Sequence, residues 1–545
     1  MTALESPGGL SVSLSYPAEA DHAGTVRTLV ADQVASKITA QDPTLWGPEA
    51  EAEASIRLSW VGLADSSRPL VAEIEALRAE LAEENIDHVV LAGMGGSSLA
   101  PEVICATAGV ELVTLDTTDP GQVRAAIADR LDRTVVVVSS KSGGTVETDS
   151  HRRAYAKAYA DAGVDAARRI VVVTDPGSPL AGVAEEEKYR RVFLADAHVG
   201  GRYSALTAFG LVPSGLAGAD IGALLDEAAA AAPALASDLG TNPGLQLGAL
   251  FGLAHNAGSE KLVLADTGSG ITGFGDWAEQ LIAESTGKDG KGLLPVVVEG
   301  ITAPGFRDAK ADAVQVILGP DPQRGSDRAV TAYGANVQGP LGAQFLLWEY
   351  AVAVASRLIG INPFDQPNVE AAKQQARQLL DRSGDEPATA PAFVDGAIEV
   401  RADGIELGPA TMVADAVQAL IGALPANGYI SVQAYLDRLE DGSAADLRET
   451  VAELSGLQTT FGWGPRFLHS TGQYHKGGHP NGGFLQITAN AARDLAIPDR
   501  PYTFATLQQA QAAGDAVVLA GADRPVLRLH LTDREAGLAK LLKEL

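Results

Sequence analysis

Two rounds of short, strongly apolar runs separated by helical stretches predict an α/β protein, with two doubly wound sheets of mainly parallel strands and a smaller C-terminal α/β unit. The first round comprises residues 88–92, 110–115, 134–138 and 170–174, each close to continuous in Val, Leu and Ile, as strands buried on both faces are. The second round repeats the design at 261–265, 294–298 and 313–318. Length agrees, since 545 residues are too many for one hydrophobic core.

In chain order, residues 1–86 are expected as an N-terminal helical segment. Its clearest part is 70–81, where apolar residues fall at mixed three- and four-residue steps. Residues 87–220 then form the first α/β domain, and an Ala-rich stretch at 221–258 forms a helical bridge. The second domain, with the helices that follow it, takes 259–381. Around 382–391 the chain turns to Ser, Gly, Asp, Glu and Pro, a linker composition that sets a boundary before the C-terminal extension at 382–545. In that extension 516–520 and 526–529 read as strands, around a Gly- and His-rich loop near Tyr474.

The totals exclude several classes. Formal net charge is −28, so the long-range field repels a nucleic-acid backbone. No apolar stretch reaches the roughly 18 residues a membrane helix needs. The first residues lack the basic patch and apolar run of a secretory signal, and Cys105 is the only cysteine, so a cytoplasmic protein without internal disulfides is expected. Cys105 lies in an apolar helical stretch and reads as a core residue. The acidity also opposes anionic metabolites, so a phosphate site here must rest on local N–H groups and a few placed cations.

Two turns have that character. Gly93-Met94-Gly95-Gly96-Ser97-Ser98 follows the first strand, but Ser98 stands where a dinucleotide-binding turn has its third glycine. Ser140-Lys141-Ser142-Gly143-Gly144-Thr145 follows the third and clusters three hydroxyls, an ammonium and unhindered backbone N–H groups, a donor set suited to a phosphate monoester. It does not match the ATP-type loop G-x-x-x-x-G-K-[ST], and its bland reading is a polar helix cap. Gln280 and Glu284, four residues apart on a predicted helix, share a face, where a carboxylate can act as a base. Arg202 lies between Gly200-Gly201 and Tyr203-Ser204, where backbone can approach a ligand and a permanent cation suits a developing oxyanion. His469, His475 and His479 fall in one loop, yet without a nearby Cys or a helical His pair they do not form a metal-binding pattern, and no metal is expected.

In this order the pieces resemble the phosphoglucose isomerase family, built from two sugar-isomerase (SIS-type) domains. Residues 196–208, around Arg202, and the stretch from Phe345 to Lys373 look like its longer signatures. The resemblance covers roughly 87–380. It implies a cofactor-free aldose–ketose isomerase, active in glycolysis and gluconeogenesis, that interconverts glucose 6-phosphate and fructose 6-phosphate through an enediolate. Gly96, Ser97, Ser140, Lys141, Ser142 and Thr145 then fall at substrate and phosphate positions, and Gln280 and Gln366 at further substrate contacts. By the same resemblance Glu284 carries the proton between C2 and C1, Arg202 steadies the enediolate, Lys373 assists near the ring oxygen, and the enzyme is a homodimer.

Two departures stand out. The family's ring-opening histidine, given by the partner subunit, normally lies between the Glu284 and Gln366 segments, and no histidine occurs from Lys288 to Gln366. The chain also continues far past Lys373, with a loop at 469–483 resembling the C-terminal part of chains in which transaldolase is fused to phosphoglucose isomerase. The expectation is that this extension folds over the pocket and that His475 or Lys476 replaces the absent histidine. Two readings compete with the isomerase. A non-catalytic SIS-type sugar-phosphate regulator would have no need of Glu284, Arg202 and Lys373 together, and a nicotinamide-dependent oxidoreductase is disfavoured by Ser98.

Overall fold

A computed structural model describes residues 4–322, 331–368, 374–378, 380 and 390–545, and these form three sheets with helices packed on them. The chain opens with an antiparallel hairpin, β1 (Leu4–Ser6) and β2 (Leu10–Ser15). Helices His22–Ala31, Val34–Thr39 and Arg68–Glu83 follow. The first sheet holds β3 (His88–Gly93), β4 (Val113–Leu115), β5 (Thr134–Ser139), β6 (Ile170–Thr174) and β7 (Arg191–Leu194), in the order β4-β3-β5-β6-β7 with every pair parallel. Val137 at its centre lies opposite both Leu91 and Val171, and all three are fully buried. That double burial is why these strands read as unbroken apolar runs.

The second sheet holds β8 (Lys261–Asp266), β9 (Leu294–Val298), β10 (Ala313–Leu318) and β11 (Tyr333–Gln338), in the order β1-β2-β11-β10-β8-β9. Its four later strands are parallel, and the N-terminal hairpin adds an antiparallel edge through β2 against β11. This corrects the expectation of an entirely helical segment over 1–86. The period-2 pattern was present, since Leu10, Val12 and Leu14 alternate with serines, but the partner strand lies over 300 residues away. The Ala-rich bridge is helical, as Ile221–Leu235 and Pro243–Asn256, and both helices pack against Leu341–Ile359. One buried apolar cluster runs from Leu10 to Phe364, so the two parallel sheets and the bridge share a core.

The C-terminal sheet holds β12 (Phe393–Asp395), β13 (Ile398–Asp403), β14 (Tyr429–Tyr435), β15 (Gln458–Trp463), β16 (Gly482–Ala489) and β17 (Val526–Leu531), in the order β12-β13-β17-β16-β14-β15. Four strands are parallel, with an antiparallel edge at β12 and β13. Residues 516–520, expected as a strand, instead end the long helix Phe504–Gly521, where Ala516 and Leu519 are buried and Val517 faces outward. A short apolar run fits either element, and the upstream Ala- and Gln-rich sequence sustains the helix. This unit has its own core, and Tyr429, Tyr474 and Phe484 also pack against Val263, Val296 and Ala283 of the second sheet's layer. Ile497, Phe504 and Leu507 pack against Val123 and Ala154 of the first. Among the described residues no helix is long and apolar enough to cross a membrane.

Candidate active site

The site is assembled at the carboxyl ends of β3 and β5, where open parallel sheets present their loops. After β3 the chain makes a tight turn, Gly95–Ser97, before the helix Leu99–Ala108. Gly95 has φ +56°, and a Cβ on it would lie 2.8 Å from both the Gln280 amide nitrogen and the His469 carbonyl oxygen. Gly96 touches the turn Gly201–Tyr203, where a Cβ would stand only 2.0 Å from the Gly201 oxygen. Ser204 ties the two turns together, its hydroxyl donating to the oxygens of Gly96 at 3.2 Å and Gly201 at 2.6 Å. Glycine is required at 95 and 96 because the backbone of His469 and Gly201 and the side chain of Gln280 close on them. Ser97, beside them, is buried.

After β5 the loop 140–145 leads into the helix Val146–Asp161. The Ser140 and Thr145 hydroxyls lie 3.0 Å apart, and the Gly143 and Gly144 N–H groups donate to the Ser140 and Ser142 hydroxyls. Ser142 is exposed and Thr145 half-buried, so these donors are open to a ligand. Lys141 is paired with Asp175 at 2.6 Å. The loop forms one wall of a cavity of about 840 Å³, whose other walls include Glu147, Arg152, Arg377, Leu468, His469, Lys476, Arg500, Tyr502 and Gln511.

Glu284 lies on the helix Phe274–Thr286, buried, with Oε2 3.1 Å from Arg202 Nε and Oε1 3.4 Å from the Gln280 amide. Arg202, also buried, donates through Nη1 to the carbonyls of Pro363 at 3.0 Å and Asp365 at 3.2 Å, and through Nη2 to Gln366 Oε1. The structure thus brings Gly96, Ser97, Arg202, Gln280, Glu284 and Gln366 together. Glu284 and Arg202 are not on the cavity wall. They lie behind His469, whose carbonyl accepts from Gln280 at 2.9 Å while its ring lines the cavity. Lys373 lies outside the described residues.

His475 is corrected by the structure. It is buried between Tyr429, whose hydroxyl is 3.1 Å from Nδ1, and Ser431, whose hydroxyl is 3.2 Å from Nε2, and it is absent from the cavity wall. Burial, reinforced by the charges of Lys476 and Arg524, holds its pKa well below the ordinary value, so it stays neutral. The reason is helical phase: on the helix Gly472–Gly477 successive side chains diverge by roughly 100°, and it is Lys476 that lines the cavity. Lys476 is itself engaged, 2.5 Å from the buried Asp515 carboxylate. The three histidines of the loop part company, His469 to Glu147, His475 to Tyr429 and Ser431, and His479 to Glu260, which rules them out as one metal site. Among the described residues the trio His88, Glu111 and Asp129 is spaced for a metal, but Arg130 already bridges both carboxylates.

Sequence reasoning missed several residues here. Lys288 is buried and donates to the carbonyls of Asn362 at 2.6 Å and Asp365 at 2.7 Å and to the Asp365 carboxylate at 2.6 Å, anchoring the segment that carries Gln366. Burial first, then the Arg202 charge, brings its pKa down to about 8. Glu147, Gln511 and Arg466 likewise gave no local signal, because their partners are hundreds of residues distant.

The C-terminal segment 466–477 packs on this site. Gln473 donates to the Gly287 carbonyl at 2.8 Å, just past the Glu284 helix, and Arg466 joins Asp116 at 2.8 Å, Asp276 at 3.0 Å and Glu102.

Comparison with known proteins points one way. The family model described as phosphoglucose isomerase matches residues 67–234. A probable glucose-6-phosphate isomerase of Natronomonas pharaonis is 31% identical over 385 residues, covering 62% of this chain and 90% of that one. The glucose-6-phosphate isomerase of Synechococcus elongatus is 31% identical over 396 residues, 63% of this chain and 74% of its own. Among solved structures, a glucose-6-phosphate isomerase from Chlamydia trachomatis shares the fold with a TM-score of 0.55 at 20% identity, over 71% of this chain and 90% of that one.

Proposed function

We propose that this chain, which belongs to the phosphoglucose isomerase family, interconverts glucose 6-phosphate and fructose 6-phosphate through an enediolate, as a step of glycolysis and gluconeogenesis. The observation that carries the reading is the buried Glu284–Arg202 pair at 3.1 Å, a base and a permanent cation side by side, linked through Gln280 and the His469 carbonyl to the cavity that the hydroxyl-rich loop lines. The phosphate dianion is held by the hydroxyls of Ser140, Ser142 and Thr145 and by N–H groups of their loop. Gly96 and Ser97 meet the sugar chain from the β3 turn, and Gln280 and Gln366 orient its hydroxyls. Lys141 contributes positive charge to the phosphate loop, and Lys373 is assigned by resemblance to the ring-oxygen end.

With the chain open, Glu284 removes the C2 proton, Arg202 stabilises the negative oxygen that forms, and Glu284 returns the proton to C1. The sugar neither gains nor loses electrons overall, so the step calls for no redox cofactor, and turnover is expected to be unaffected by a chelator. A homodimer is the assembly the resemblance implies, to be read by light scattering.

The test is formation of fructose 6-phosphate from glucose 6-phosphate by wild type and by Glu284→Gln. A positioned base contributes ~10²–10⁴-fold, so the variant should fall by that order while still binding substrate. A wild type that binds the sugar phosphate without turning it over would reject this reading in favour of a regulator.

A further inference from the structure

A hexose phosphate in its ring form has no carbonyl at C1, so the proton at C2 is not acidic until the C1–O5 bond opens. Opening is a proton relay: O5 must gain a proton as its bond to C1 breaks, and the C1 hydroxyl must lose one as the C1 carbonyl forms. Near neutral pH imidazole is the side chain suited to both halves.

His469 is placed for this. It ends the turn Arg466–His469, and its side chain, 12% exposed, lines the same cavity as Ser140, Ser142 and Thr145. Its Nε2 lies 3.1 Å from Glu147 Oε1, on the first turn of the helix that follows the phosphate loop. The Gln511 amide donates to the same oxygen at 2.6 Å, and the Thr118 hydroxyl donates to Gln511 Oε1 at 2.8 Å. The carboxylate is thus fixed from behind, and it selects the tautomer with hydrogen on Nε2, leaving Nδ1 to exchange a proton. On the other side the His469 carbonyl holds the Gln280 amide, one helical turn from Glu284. His469 therefore joins the phosphate-binding end of the site to the base.

We infer that His469, oriented by Glu147 and supplied by the C-terminal unit of the same chain, is the catalytic residue that opens the sugar ring. This rests on the isomerase reading above. In the step, protonated His469 gives its Nδ1 proton to O5 as the C1–O5 bond breaks with its electron pair on O5. It recovers a proton through water from O1 as the C1=O bond forms, and nothing is oxidised or reduced.

The experiment follows the exchange of the α and β anomers of glucose 6-phosphate by NMR magnetisation transfer, alongside fructose 6-phosphate formation, for wild type, His469→Asn and His469→Ala. Melting temperature and substrate binding serve as controls for folding. Both variants should exchange anomers at the spontaneous rate and isomerise about 10²-fold more slowly, and added imidazole should restore exchange to His469→Ala. Exchange at the wild-type rate in either folded variant would overturn the inference while leaving the isomerase reading intact. A wild type that exchanges anomers but forms no fructose 6-phosphate would overturn the isomerase reading alone. For Glu147 the readout is spectroscopic: ¹⁵N-histidine spectra should show His469 as the Nε2–H tautomer in wild type and a mixture in Glu147→Ala, whereas an unchanged tautomer would remove Glu147 from the relay.

Discussion

Substituting Gly96 by alanine tests whether the site depends on the close approach of two turns. The added Cβ would lie 2.0 Å from the Gly201 carbonyl oxygen and 2.5 Å from its carbon, and both are backbone atoms that cannot rotate away. Non-bonded heavy atoms settle at roughly 3.5 Å, so the β3 turn and the Arg202 turn must separate by about 1.5 Å. Overpacking of this kind costs about 1–3 kcal/mol of stability. The effect on catalysis is larger, because a displacement of about 1 Å can cost on the order of 10²-fold in rate, and Arg202 is the group that moves away from Glu284. The assay is kcat/KM for glucose 6-phosphate beside the urea midpoint. Gly201→Ala is the control: it alters the opposing turn, but its own Cβ would meet nothing within 4 Å, and it should be tolerated. Equal activity in Gly96→Ala and wild type would refute the packing argument.

Two further predictions concern stability. His151 is buried, donates through Nε2 to the Thr117 carbonyl at 2.8 Å, and has its pKa lowered to about 4 by burial. Because the folded value lies below the ordinary 6.5, the unfolded chain binds a proton between those two pH values that the folded chain does not. Stability should therefore fall as pH drops from 6.5 towards 4, by up to about 3 kcal/mol, and be untouched by this group above pH 6.5. His151→Gln should flatten that dependence in urea titrations, and an identical slope in the variant would contradict the assignment. Arg466→Met removes the guanidinium shared by Glu102, Asp116 and Asp276; Arg438 still holds Glu102 at 2.8 Å, so the fully buried Asp116 is the carboxylate that loses its close partner. Breaking a buried pair costs about 3–5 kcal/mol, and because the same turn carries His469, kcat should fall more than KM rises. A melting temperature and kcat equal to wild type would show the clamp to be dispensable.

Much of the fold was legible because buried parallel strands write their environment directly into sequence. The runs that became β3, β5, β6, β8, β9 and β10 are apolar because both faces of each are covered. β7 and β11 were not singled out, since one carries Arg191 and the other Asn336 and Gln338 within the strand. The N-terminal hairpin needed knowledge of a distant partner, and 516–520 carried no information separating a strand from the end of a helix. Within the candidate site, turn chemistry singled out the 140–145 loop that lines the cavity, and helical spacing put Gln280 and Glu284 on one face. The histidine that lines the cavity is six residues from the one expected: local sequence shows that the 469–479 loop is rich in imidazole, but which ring reaches the cavity is decided by the turn Arg466–His469 and its anchor at Arg466. Glu147 stands two residues past the 140–145 loop, and only its contacts with His469 and Gln511 distinguish it from a solvated helix-start carboxylate.

The central claim is that the Glu284 carboxylate carries a proton between neighbouring carbons of a bound sugar phosphate. The most direct measurement is deuterium uptake from D₂O at C2 of glucose 6-phosphate and C1 of fructose 6-phosphate, followed by NMR in wild type and Glu284→Gln. The account predicts uptake at both carbons with wild type and a fall of at least about 10²-fold with the variant. Uptake at the wild-type rate without this carboxylate would contradict it.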